Sequence, residues 1–346
     1  MRLSPQLLSE DTDVLRAGSR LLWILIALMA IATAAECCAG GLSITWERFP
    51  TIPIAIAGSA AMALFYRFFR PELALIYATE LIAQILLIIF LGELLTYAAA
   101  TTGFPYRDAE LFAVDRWLGF DVKAYFGLVD SHRALAIVSL LAYMSYLWQA
   151  PVVFIVLSLT SRIERLQDFA VSLIVSLTIT IAIFALFPAL GWYGYLRLDL
   201  SAFTNILFFP DFVSHVKELH SGTLRAIPVD DIRGLISFPS YHSAAAVLAV
   251  WALWPIRMIR WPLLILNALM VASTPIEGTH YAIDVIGGLA VSALSLLIVI
   301  WTRQAIGRFC AGARAAGIGT EDDIQSFSGA GMTVPQRLQV RASLEP

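Results

Sequence analysis

The chain reads as an all-α polytopic membrane bundle of about eight transmembrane helices, and three features of its 346 residues point there. It is 59% hydrophobic and 14% charged, against roughly 45–50% and about 25% in soluble domains. Apolar runs of about 20 residues recur along it, each long enough to cross a hydrocarbon core of about 30 Å. The short loops between several of these runs carry paired arginines, the mark of a cytoplasmic side. The net charge is -3, and no basic stretch suits nucleic acid. Cys37, Cys38 and Cys310 form neither a disulfide framework nor a metal-ligand spacing.

Residues 1–18 are polar and mixed in charge, which suggests a cytoplasmic tail. The first span runs from Leu21 to about Cys38. Ala32-Thr33-Ala34 resembles a signal-peptidase site, but acidic residues precede the run and favour an uncleaved span. The second, from about Ile52 to Phe65, is followed by Arg67 and Arg70. The third, Leu73 to Ala99, carries Glu80, Gln84 and Glu93. Ionisable groups inside a span are costly and often functional, yet both glutamates lie near a span end, where they can reach water.

Residues 101–133 hold Arg107, Asp108, Asp115, Arg116 and Asp121 and suggest one or two interfacial helices. A fourth span covers about Leu135 to Leu159, before Arg162 and Arg165; a fifth covers Phe169 to Leu186 and leads into a long polar segment, 189–236. The sixth opens in Ser237-Phe238-Pro239-Ser240-Tyr241-His242 and ends near Pro255. After Arg257 and Arg260 the seventh covers Trp261 to Ala272, and the eighth His280 to Trp301. The segment 303–346, rich in Gly, Ala and Ser, reads as a disordered tail.

Eight spans put both termini on one side of the membrane. Arg67/Arg70, Arg162/Arg165 and Arg257/Arg260 fall on that side, so the termini are expected in the cytoplasm. His132, His215, His220, His242 and His280 then face the periplasm or lumen.

The chemistry concentrates where the sixth and eighth spans begin. On a helix, His280 and Asp284 share a face one turn apart. A carboxylate there holds one imidazole nitrogen and leaves the other free to attack. A helix N-terminus offers unpaired N–H groups and partial positive charge, so two such mouths side by side suit a phosphate. Pro239 suits a first helical turn, Ser237 or Ser240 is the cap of the sixth helix, and Thr279 that of the eighth. Ala245 and Ala249 on one helix, with Gly288 and Ser292 on the other, allow close approach. His280 then attacks phosphorus, Asp284 stabilises the imidazolium and His242 protonates the leaving alkoxide. Taken singly, each histidine is as simply an interfacial polar residue; the pairing carries the argument. A zinc site is weak, because His215 and His220 are five apart and do not share a helical face. Trp192 and Tyr193 are most simply interface-belt aromatics.

These motifs resemble the second and third signatures of the type 2 phosphatidic acid phosphatase superfamily, and within it the branch containing inositol phosphorylceramide synthase. Phe187-Pro188-Ala189-Leu190-Gly191-Trp192-Tyr193, Arg107-Asp108, Asp115 and Leu118-Gly119-Phe120-Asp121 add to that likeness. The resemblance covers roughly residues 90–302. It implies a six-helix phosphatase-like core over 71–302, two extra helices in 1–70, and a tail from 303 to 346. It also implies His280 as nucleophile, Asp284 as its partner and His242 as acid.

There are departures. The superfamily's Arg six residues before the nucleophile is Thr274 here, and a second-motif glycine is Tyr241. Lys217 and Arg225 do not reproduce the first motif, being one residue too far apart, with Ala226 after the arginine. Arg225, Arg233 and Lys217, with Ser240, are therefore the candidates to hold phosphate, and Arg197 follows them.

The expected activity moves a phospho-head group from a phospholipid to an alcohol or lipid acceptor, with no cofactor and no metal. The named branch adds inositol and sphingolipid chemistry. A phosphatase using water shares every catalytic residue. A non-catalytic transporter would place ionisable groups near the membrane midplane instead.

Overall fold

The computed structural model describes residues 5–45, 51–70, 72–197, 203–206, 212–229, 232 and 234–315. The all-α expectation holds. Three long helices come first: α1 (Pro5–Ala39), α2 (Thr51–Phe69) and α3 (Leu73–Ala99). Two short ones, α4 (Asp108–Trp117) and α5 (Val122–Asp130), fill the polar segment. Gly119, at φ +77°, ends α4, and Asp121 starts α5 by accepting the N–H groups of Lys123 and Ala124.

Then come α6 (Arg133–Met144), α7 (Tyr146–Leu159), α8 (Ile163–Leu186), α9 (Gly191–Leu196) and α10 (Phe212–Ser221). The last three are α11 (Tyr241–Leu253), α12 (Arg260–Glu277) and α13 (Ala282–Ala315). Among the described residues, five helices are each long and apolar enough to cross a bilayer: those within α1, α2 and α3, the one from Ile163, and α13. Two of the other expected spans are built from shorter pieces. The fourth is divided at Ser145 into α6 and α7, and Pro151 inside α7 withholds an N–H from its ladder. The sixth, α11, has 13 residues and so is only about 20 Å long.

Two packed regions result. The larger joins α1, α3, α7, α8 and α11 through residues such as Leu22, Leu81, Leu157, Leu166, Phe184 and Leu248. The smaller gathers Leu111, Phe126, Trp192, Ile276 and Tyr281 beneath the polar segment. α1 packs on α3, α8 and α13, and α2 packs on α3, so the two N-terminal helices touch the rest of the bundle directly.

Glu80 is a structural pin. Its Oε1 accepts from Ser19 Oγ (2.8 Å) and Trp23 Nε1 (2.6 Å), and its Oε2 faces Arg67 Nη2 at 3.6 Å, tying together α1, α2 and α3.

Three features differ from expectation. The N-terminal segment is helical from Pro5. α13 continues through 303–315, where a disordered tail was expected: Arg303 bonds Asp168 on α8 at 2.6 Å, and Cys310 is buried. Residues 316–346 lie outside the described residues. Finally, β1 (Ser43–Thr45) pairs in parallel with β2 (Ala226–Pro228), Ser43 opposite Ala226.

Candidate active site

α11 opens as the sequence suggests, with one reassignment. Ser240 is its cap: extended at φ -68°, ψ 110°, it accepts the N–H of Ser243. Pro239 therefore lies ahead of the cap, outside the first helical turn, joined to Phe238 by a cis peptide bond. Ser237 has a different task, described below. His242 is the second residue of α11 and stays half-buried. Its ring stacks on Tyr143 (centroids 4.4 Å apart, 20° between planes) and lies 4.5 Å from Tyr146, so the break between α6 and α7 is flanked by the two aromatics that hold the imidazole.

The mouth of α13 is built otherwise. The helix starts at Ala282, so His280 precedes it. The N–H groups of Ala282 and Ile283 go to Asp115 of α4, at 2.8 and 2.9 Å. That carboxylate occupies the anion site expected for a substrate phosphate. Thr279 is not the cap. It sits at φ +53°, a conformation costly for a β-branched residue, and its hydroxyl has no partner. Its neighbours leave it no choice: the Trp192 N–H donates to the Thr279 carbonyl (3.2 Å), and Gly191 comes so close that a Cβ there would lie 2.5 Å from that oxygen. Trp192 also donates its indole N–H to Pro275 O at 2.6 Å, a bracing role beyond an interface aromatic.

Asp108 completes the support. Both of its oxygens accept from the Leu190 N–H at 3.0 Å, and Oδ1 takes the Tyr281 hydroxyl, also at 3.0 Å. Burial pushes the Asp108 carboxyl up to about 6, against the opposing pull of those two donors. Burial raises Asp115 too, opposed by its two helix N–H donors.

This scaffold fixes His280. Its Nδ1 lies 2.8 Å from the Ser237 carbonyl oxygen. A carbonyl only accepts, so Nδ1 carries the hydrogen, and in the neutral ring Nε2 is then the nitrogen with the lone pair. Asp284 Oδ2 stands 3.4 Å from the same Nδ1 and also accepts from Ser237 Oγ and the Tyr281 N–H, both at 2.9 Å. The carbonyl is thus the nearer partner and the carboxylate the electrostatic one. His280 is 2% exposed and Asp284 0%.

Gly278 keeps the Nε2 side of the ring open, because a Cβ there would stand 3.0 Å from His280 Nε2 and 2.6 Å from Cδ2. The two histidine rings are 6.3 Å apart. That distance rests on Gly288, where a Cβ would lie 2.1 Å from Ser240 O, and on the Ser240 N–H donating to Asp284 O at 2.9 Å.

The anticipated phosphate ligands are more dispersed. Ser240 is engaged as a cap and accepts from Ser243 Oγ at 3.2 Å. Lys217 is exposed on α10. Arg225 follows α10, gives its carbonyl to Ser43, and keeps a buried Nη1 without a hydrogen-bond partner. Among the described residues, no hydrogen bond or ion pair joins Lys217 or Arg225 to either histidine. Arg233 lies outside the described residues. Arg197 ends α9 at φ +51°. Thr274, where the superfamily has arginine, uses its hydroxyl on Val271 O, and its carbonyl accepts the N–H groups of Gly278 and His280.

Several residues were not read as part of the site: Tyr143, Tyr146, Gly278 and Glu277. Glu277 is 1% exposed, and its Oε2 has no hydrogen-bond partner. An acid three residues before a histidine was the one visible signal.

A model of the PAP2 superfamily matches residues 109–298, a stretch that takes in α4 through most of α13 and both histidine motifs. No curated protein and no solved structure matches the chain. That family match covers more than half of the sequence, and with its long apolar helices the chain belongs to the PAP2 superfamily as an integral membrane enzyme of lipid phosphoryl chemistry.

Proposed function

We propose that the protein is a phosphotransferase that moves a phospho-head group from a phospholipid to an alcohol or lipid acceptor through a phosphohistidine. One observation carries the reading: a buried imidazole whose Nδ1–H is held by Ser237 O, with Asp284 beside it and a second imidazole 6.3 Å away. His280 Nε2 attacks phosphorus; the P–N bond forms as the bond to the leaving alkoxide breaks, and His242 gives that alkoxide its proton. Positive charge gathers on the His280 ring, where Asp284 stabilises it. In the second half the acceptor hydroxyl passes its proton to His242 as its oxygen takes the phosphoryl group and the P–N bond breaks.

The phosphoryl oxygens are met by the first N–H groups of α11 and by Ser240, and the remaining charge is assigned to Arg225, Arg233 or Lys217, whose variants should weaken donor binding if they reach it. Transfer is favoured over hydrolysis because a nucleophile only 2% exposed supports exclusion of water while an acceptor binds. The likeness to the inositol phosphorylceramide synthase branch makes an inositol phosphoryl group and a sphingolipid acceptor the first pair to try. The site faces the periplasm or lumen, with both termini cytoplasmic.

The purified protein, given a phospholipid donor with and without acceptors, is expected to yield a new phosphodiester that His280→Ala does not form. Hydrolysis products alone across a broad acceptor panel would leave a lipid phosphatase. Single-cysteine labelling with an impermeant reagent tests the orientation; a label at Cys310 in intact cells overturns it.

A further inference from the structure

The mechanism uses His242, His280 and Asp284 and leaves Glu277 idle. That acid is 1% exposed and ends α12, next to Gly278, the residue that faces His280 Nε2. Ser139 of α6 lies beside its carboxyl group. Tyr143, one turn further along α6, is within its electrostatic reach and stacks on His242 at 4.4 Å. Glu277 therefore stands on the side of the site where His242 handles the alcohol.

Among the described residues no cation pairs with Glu277, and its Oε2 has no hydrogen-bond donor. Glu80 is the contrast: also buried, it is met by Ser19, Trp23 and Arg67. A carboxyl oxygen kept from water without a donor or a cation costs stability. Beside a phosphoryl group in transit it also repels charge. Both costs disappear if the group it meets is a donor on the alcohol rather than the phosphoryl group itself.

Resting on the transfer reading above, we infer that Glu277, aided by Ser139, recognises a second donor beside the reacting hydroxyl. The alcohol that enters or leaves at His242 is then a 1,2-diol or a 1,2-amino alcohol rather than a simple mono-alcohol. The two chemistries share one requirement, an O–H or N–H on the neighbouring carbon that donates to the carboxylate.

The test compares acceptors matched in chain length: a mono-alcohol, the 1,2-diol and the 1,2-amino alcohol, with wild-type protein and Glu277→Gln in vesicles. A second arm varies the alcohol that leaves, using phosphodiester donors with and without a β-hydroxyl, and reads donor consumption. In the wild type, kcat/KM is expected to favour the donor-bearing alcohol by about tenfold or more, the factor that one charge-assisted hydrogen bond supplies. In Glu277→Gln and Ser139→Ala the ratio falls toward one, furthest in the glutamate variant. A ratio does not depend on how much protein is folded, so a folding defect cannot imitate this result. Absence of transfer to every acceptor, with the ratio still collapsing in the leaving-alcohol arm, ends the transferase reading and supports this inference. A wild-type ratio near one in both arms, or an unchanged ratio in Glu277→Gln, overturns it.

Discussion

His242 and His280 each stand where an apolar run begins, yet the two helix mouths are built on different principles. His242 lies inside the first turn of α11, under a cap from Ser240 two residues away. His280 lies outside α13, in a turn held from α4 and from the 188–193 segment by Asp115, Asp108, Trp192 and the Thr279 carbonyl. His242, the proposed acid, is placed by local structure and by the rings of Tyr143 and Tyr146 packed against it. His280, the proposed nucleophile, is placed by groups distant in sequence. One mouth keeps its anion site; the other has given it to Asp115. A group that only relays protons tolerates small errors of position, whereas a nucleophile does not.

The largest expected effects fall on the nucleophile's side. His280→Ala should remove both turnover and the labelled phosphoenzyme. Asp284→Asn should lower turnover by about four orders of magnitude. His242→Ala should cost less, about two to four orders, and phosphoenzyme formation should slow together with release of the leaving alcohol. Equal loss in His280→Ala and His242→Ala, with no phosphoenzyme in wild type, would erase the distinction between the two mouths.

Next is Gly278→Ala. Its methyl group would stand 2.6 Å from His280 Cδ2 and 3.0 Å from both Nε2 and the Thr274 carbonyl oxygen, so activity should fall about a hundredfold with a smaller fall in melting temperature. Normal activity there would mean that the attacking nitrogen lies elsewhere.

The two caps separate the mouths further. Asp115→Asn and Ser240→Ala should each cost about 0.5–2 kcal/mol of stability. At equal stability loss, Asp115→Asn should lose more activity, because only that cap orients the nucleophile's turn; urea titrations beside kcat measurements compare the two.

Asp108 predicts a pH effect. Its carboxyl is pushed up to about 6, and its ionised form is the acceptor for Tyr281. Activity should therefore decline about tenfold per unit below pH 6, a limb that Asp108→Asn should remove. The stability contribution has the opposite sign. The folded state binds this proton more tightly than the unfolded chain, so the contribution is greatest below about pH 4 and shrinks as pH rises to 6. Acid inactivation through Asp108 should thus proceed without a matching fall in melting temperature. A further effect is expected on packing: Gly288→Ala should cost about 1–3 kcal/mol by forcing α11 and α13 apart.

Much of this was legible in the sequence wherever the determinant was local. The apolar runs placed the long helices, the polar segment 101–133 announced the two short helices α4 and α5, and the spacing of His280 and Asp284 put them in reach of each other. Ser237 and Ser240 were equivalent as caps on paper; only the course of the chain separates them. Asp115 escaped because its contacts with α13 span 167 residues, and no periodicity reports such a pair. Thr279 misled for a physical reason: threonine suits a cap and resists a positive φ, so the sequence argued for the conformation that tertiary contacts override. The break at Ser145 was hidden inside a run whose hydropathy is continuous.

The short β pair has a consequence in time. Ser43 and Thr45 reach the backbone of Arg225 and Ile227 across 182 residues. At synthesis rates of about 5–20 residues per second, β1 waits roughly 10–40 s for its partner. Through that interval an unpaired strand edge stands open to any extended segment that passes. It consists of three residues, two of them Ser43 and Thr45, and a strand so short and so rich in hydroxyls offers a wrong partner little to hold.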